Sequence, residues 1–197
     1  MSEESNAIDP NTMSIIVTKG SLDWAYPPFI LGTTAAAMGL EVTMFFTFYG
    51  LPLLLKKMDL KVTPLGNAAM KMPMMGGHMV MPNIVAAIPG VDAMASKMMK
   101  NLIKKNGVAS VEELRDLAIE ADVRMIACQM TMDLFDYQKD VMIDGIEVGG
   151  AATYIEVATQ SHINLFIVPG KAFDSNRKIQ WQTKYSTQKD LIARSRS

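Results

Sequence analysis

MSIIVTKGSLDWAYPPFILGTTAAAMGLEVTMFFTF, residues 13–48, is the stretch on which the fold turns. Met13–Thr18 is a short β-branched run closed by Lys19-Gly20, and Ser21 or Asp23 follows as a helix cap. Small and apolar residues carry that helix to about Met38, where Gly39 stops it. Glu41–Phe48 returns to a β-rich apolar run, and Tyr49-Gly50 with Pro52 turns the chain into a brief apolar helix ending at Lys56-Lys57. Strand, helix, strand at this spacing is the βαβ unit, whose strands are parallel because the chain recrosses between them.

The alternation continues downstream. Leu60 to about Pro89 is irregular and dense in Met, Gly and Pro, which reads as a long functional loop with at most one helical turn. Asp92–Lys105 places Met94, Met98 and Leu102 at helical spacing and ends on Asn106-Gly107. Ser110 with Glu113 three residues on is a capping box opening a helix through Ala121. Val123–Cys128 is the next strand, a short helix follows from about Met130 to Tyr137, and Gly145–Gly150 makes a turn. Ala151–Gln160 is the last helix and Ile163–Val168 the last strand. Four strands interleaved with helices predict a doubly wound α/β domain with its ligands at the carboxyl ends of the strands. Residues 1–12 read as a polar tail, 13–168 as the domain, and 169–197 as a basic extension, because the last 27 residues hold seven Lys or Arg against two Asp.

Composition narrows the function. A formal net charge of −1 gives no global field for nucleic acid or an anionic membrane. Ala25–Leu55, the most apolar stretch, is interrupted by Glu41, glycines and prolines, so no stable membrane insertion is expected. One cysteine excludes an intrachain disulfide and a multi-cysteine zinc site, and the polar, acidic start lacks the basic-then-apolar pattern of a signal peptide. Together these features predict a cytoplasmic, reducing setting and no cofactor or metal.

The single thiol, Cys128, stands where a strand gives way to a helix. A free cysteine is commonly an inert core residue, but a helix start exposes it to unpaired N–H groups that stabilise a thiolate. Arg124, the nearest cation in sequence, shares its strand face at a distance of four residues, whereas Asp133 and Asp136 would raise the thiol pKa if they approached.

ACQMTMDLF followed by DGIEVGGAATYIEVA, after the N-terminal TKGSLDWAYPPFILGTTAAAMGLEVTMFFTFYGLPLL, resembles the DsrE/DsrF-like family, particularly its DsrE2/DsrE3 branch. The likeness covers about residues 13–168. It implies a three-layer α/β/α, flavodoxin-like, mostly parallel sheet, a homo-oligomer, and sulfur relay in which Cys128 exchanges sulfane sulfur or thiosulfonate with donor and acceptor proteins. Two features depart from part of the family: some relatives have a second cysteine near the first, which this chain lacks, and relatives commonly end soon after the strand Ile163–Val168, whereas this chain runs on past Gly170. A thiol peroxidase is one alternative, although its sulfenic acid would need a resolving thiol; a non-catalytic oligomeric assembly module is another.

Other motifs carry less. Met70, Met72, Met74, Met75, Met79 and Met81 around His78 are soft enough for Cu(I), but methionine is also an adaptable filler of partner surfaces. The segment Gly66–Gly90 is expected to form a mobile cover over Cys128, and the apolar run Phe45–Leu55 together with the Met-rich loop exceeds what one core of this size needs, which predicts self-association. His162 reads as structural or solvated, and Gly20-Ser21 lacks the residues that complete a phosphate loop.

Overall fold

The computed structural model describes residues 9–63, 71–74, 77–80 and 91–167. Among the described residues seven strands and five α-helices follow one another: β1 (Asp9–Lys19), α1 (Leu22–Ala37), β2 (Glu41–Tyr49), β3 (Lys71–Met74), β4 (Gly77–Val80), α2 (Val91–Lys105), α3 (Val111–Glu120), β5 (Arg124–Cys128), α4 (Gln129–Phe135), β6 (Glu147–Gly149), α5 (Ala151–Gln160) and β7 (Ser161–Ile167). Short 3-10 turns occupy Leu51–Leu54 and Lys139–Val141. Five strands form one parallel sheet in the order β6-β5-β2-β1-β7.

The order explains the layers. From β1 through β2 and β5 to β6 the chain steps across the sheet in one direction, and from β6 to β7 it returns to the far edge. Right-handed crossovers taken in opposite directions put their helices on opposite faces. Accordingly, α1 and α3 pack together over one face, where Met13, Ile15, Val17, Met44, Phe46, Met125 and Ala127 meet Leu22, Phe29, Val111 and Ala118 in the main core. The other face carries α5, with a smaller cluster of Phe45, Ile126, Cys128 and Tyr154. This is the three-layer α/β/α, flavodoxin-like arrangement.

Local chemistry sets the helix ends. The capping box at α3 is complete: Ser110 N donates to Glu113 Oε2 at 2.7 Å and Glu113 N donates to Ser110 Oγ at 3.2 Å. At α1 Ser21 occupies the cap position without a side-chain cap bond. Its hydroxyl lies 2.8 Å from Thr63 Oγ1, and Asp23 Oδ1 accepts from both Thr63 N and Thr63 Oγ1 at 3.0 Å. The helix runs on through Pro27-Pro28.

Several elements differ from the sequence reading. β6 was expected as a turn; three residues are too few to show alternation, and only pairing with β5 makes them a strand. β1 begins at Asp9, four residues before the expected Met13. Within the stretch expected as a loop, β3 and β4 pair antiparallel, with Met74 opposite Gly77. Gly76 was the missed signal, since a two-residue stretch containing glycine between two such runs, here 75–76, favours a hairpin. The rest of the Gly66–Gly90 cover, the methionine side chains around His78 and the 169–197 extension lie outside the described residues. Phe45–Leu55, expected as surplus apolar surface for self-association, is largely interior: Phe45, Phe46, Leu51, Leu53 and Leu54 are buried, and only Phe48 and Tyr49 are well exposed. Among the described residues no helix is long and apolar enough to cross a membrane.

Candidate functional site

Three cross-sheet rows build the face that carries the thiol. Strand register sets Arg124, Thr43, Ser14 and Asn164 side by side, then Ile126, Phe45, Ile16 and Phe166 one step nearer the carboxyl ends. Side chains alternate along a strand, so the third row begins with Cys128 and Thr47. The first row is polar and tied to α5. Ser14 Oγ donates to Asn164 Oδ1, and Asn164 Nδ2 donates to Ser161 O at 3.0 Å, which fixes the amide orientation. Ser14 has spent its one proton, so Tyr154 Oη is the donor in its 3.0 Å bond to Ser14 Oγ. The Tyr154 ring then stacks on Phe45 with centroids 5.2 Å apart, closing the apolar row beside the thiol.

Cys128 is the last residue of β5 and the cap residue of α4, at the carboxyl edge of the sheet, as the sequence places it. It is buried, 4% exposed, next to Gly149 on β6. Burial pushes its pKa up. The hydroxyls of Thr131 and Thr47 and the backbone N–H groups of Thr131 and Met130 outweigh that, and the thiol ionises below its ordinary value. The sulfur makes no side-chain capping hydrogen bond.

The residues flagged from sequence around the thiol do other work. Arg124 Nε and Nη2 donate to Glu147 Oε1 and Oε2 at 2.8 and 2.7 Å, and this bidentate pair holds the Glu147 carboxyl below the usual range. Four residues of strand amount to about 13 Å, too far for its charge to serve the sulfur. Asp133 Oδ1 accepts from Gln129 Nε2 at 2.7 Å, and Asp136 Oδ1 accepts from Gln138 Nε2 at 3.1 Å; neither carboxylate acts on the thiol. His162 is exposed near the start of β7, toward the opposite end of the sheet from Cys128. Gly20 has a packing reason, because a Cβ there would stand 2.5 Å from Tyr49 O. Among the described residues no three His, Cys, Asp or Glu lie close enough to hold a metal.

What sequence reasoning missed is the threonine pair. Thr131 stands three residues after Cys128, where a first-turn group faces the cap residue, so a C-x-x-T reading could have found it. Thr47, on β2, is visible only through strand pairing.

The fold is an α/β/α domain that carries its single thiol at the carboxyl end of a strand. The chain belongs to the DsrE/DsrF/DrsH-like family, whose sequence model matches residues 9–166. It is 58% identical over 160 residues to the sulfur carrier protein DsrE2 of Allochromatium vinosum, an alignment covering 81% of this chain and 100% of that protein. It is 32% identical over 166 residues to the uncharacterized protein YrkE of Bacillus subtilis, covering 78% of this chain and 95% of that one.

Proposed function

We propose that this protein is a sulfur carrier in which Cys128 accepts sulfane sulfur or thiosulfonate from a donor protein and passes it to an acceptor thiol. The observation that carries the reading is the thiol itself, held at the carboxyl edge of β5 among donors that favour its thiolate. Its likeness to a protein named as a sulfur carrier over that protein's whole length supports the same role. As thiolate, the sulfur attacks the sulfur bonded directly to the donor cysteine, the outer sulfur of a persulfide or the inner sulfur of a thiosulfonate; the S–S bond to that cysteine breaks and the electron pair leaves on the donor thiolate. The reverse exchange delivers the group to the acceptor, and one cysteine suffices. A reducing compartment, the cytoplasm, suits a protein that works through a single free thiol.

Self-association belongs to the same proposal. Met130, Leu134, Ile155 and Phe166 are each more than half exposed and supply apolar surface that a second copy would cover.

Intact mass after incubation with polysulfide or tetrathionate tests the carrier reading. The wild type is expected to gain sulfur and Cys128→Ser to gain none while keeping its fold. Oxygen gained from peroxide with no sulfur uptake would support a peroxidase, and no adduct at all would leave an inert assembly module.

A further inference from the structure

Thr131 is fully buried in the first turn of α4, 0% exposed, with its hydroxyl turned to the end of β2 rather than to solvent. Phe48 N donates to Thr131 Oγ1 at 3.1 Å, and Thr47 Oγ1 lies 3.2 Å from the same oxygen. Phe48 adopts φ +48°, a left-handed conformation that a bulky aromatic residue rarely takes, at the end of β2, one step past Thr47. Strand register pairs Phe46 with Ala127, which puts Thr47 beside Cys128 on the same sheet face.

Counting protons shows what this arrangement leaves available. Thr131 Oγ1 accepts the Phe48 N–H, so its own proton must go elsewhere. The bond between the two threonines uses only one of their two hydroxyl protons, whichever residue donates. The other proton is not used within the pair, and strand register sets the Cys128 sulfur beside Thr47 as an acceptor for it, in line with the lowering of the thiol pKa by both hydroxyls.

We propose that Thr131 and Thr47 form a paired-hydroxyl donor to Cys128 sulfur, oriented by the Phe48 N–H, and that this pair holds the thiolate that attacks a persulfide donor. The inference rests on the sulfur-carrier reading and names the groups that prepare its nucleophile. In the step they serve, Cys128 Sγ attacks the terminal sulfur of R–S–SH. An Sγ–S bond forms, the donor's S–S bond breaks, and the electron pair leaves on R–S⁻. The proton stays on the transferred sulfur, so Cys128 becomes S–SH with no external oxidant or reductant.

The test uses Thr131→Val, Thr47→Val and Thr131→Ser in the full chain. The ultraviolet absorbance of the thiolate is titrated against pH with Cys128→Ser subtracted, and sulfur loading from glutathione persulfide is followed by intact mass. Each valine variant is expected to raise the thiolate midpoint by about one unit and to slow loading near neutral pH by up to about tenfold. Thr131→Ser, which restores the hydroxyl, is expected to keep the wild-type midpoint, an outcome that a packing role for the threonine methyl would not give. A wild-type midpoint in either valine variant, or a Thr131→Ser midpoint matching Thr131→Val, overturns the proposal. If Thr131→Val does not fold, Thr47→Val decides alone. The two readings fail separately: normal loading with an unmoved midpoint removes the threonine pair, whereas a shifted midpoint with no loading in the wild type removes the carrier function.

Discussion

Replacing Ser14 by alanine deletes one oxygen, yet it should cost more stability than removing the Tyr154 hydroxyl opposite it. Ser14 is 0% exposed and relays between two groups, accepting from Tyr154 Oη and donating to Asn164 Oδ1. In Tyr154→Phe, Ser14 keeps its bond to Asn164, and the loss is one neutral hydrogen bond, about 1 kcal/mol. In Ser14→Ala the Tyr154 hydroxyl, on a residue only 6% exposed, loses its acceptor and remains buried, a penalty of about 2 kcal/mol. Asn164 is exposed and can turn to water, so it adds little. The double variant removes the orphaned hydroxyl together with its lost partner and should return to about 1 kcal/mol, against about 3 if the costs simply added. The cycle therefore predicts a coupling of about 2 kcal/mol. Urea unfolding of the four proteins measures it, provided their denaturant slopes agree. Additive costs, or Ser14→Ala milder than Tyr154→Phe, would refute the donor chain through which α5 is tied to the sheet beside Cys128.

Gly50→Ala should be severe, about 3 kcal/mol or more, because a Cβ there would stand 2.2 Å from Val17 O although φ −79° and ψ −23° suit alanine. Gly150→Ala, with nothing within 4 Å of the added carbon, should be nearly neutral; equal thermal melting of the two variants would contradict the close approach of β1 to the turn after β2. Sedimentation at micromolar concentration should show a species larger than the 21.7 kDa chain, and a monomer there would count against self-association through the exposed apolar residues.

Sequence by itself determined what depends on near neighbours. The β-branched run from Met13, the small-residue helix and the run from Glu41 announced a βαβ unit because helix and strand periods are written in consecutive residues. Ser110 and Glu113 announced a helix start for the same reason, and both bonds of the box form. Cys128 could be placed at a strand end facing a helix, since the change of period occurs at that residue.

Tertiary structure decided the thiol's surroundings. Thr47 and Thr131 are 84 residues apart in sequence and 3.2 Å apart in space, and no local pattern links them. Arg124 shares the strand face of Cys128, as alternation requires, but its partner is fixed by β6, whose three residues become a strand only through pairing. Phe45–Leu55 looked like surplus apolar surface because hydrophobicity alone does not reveal what lies opposite. The crossover back to β7 closes the face over Phe45 with α5, while the turn after β2 sinks Leu51, Leu53 and Leu54 into the main core. Periodicity is a property of the chain, whereas the donors that set a thiol's charge are supplied by whichever strands and helices the sheet order brings beside it.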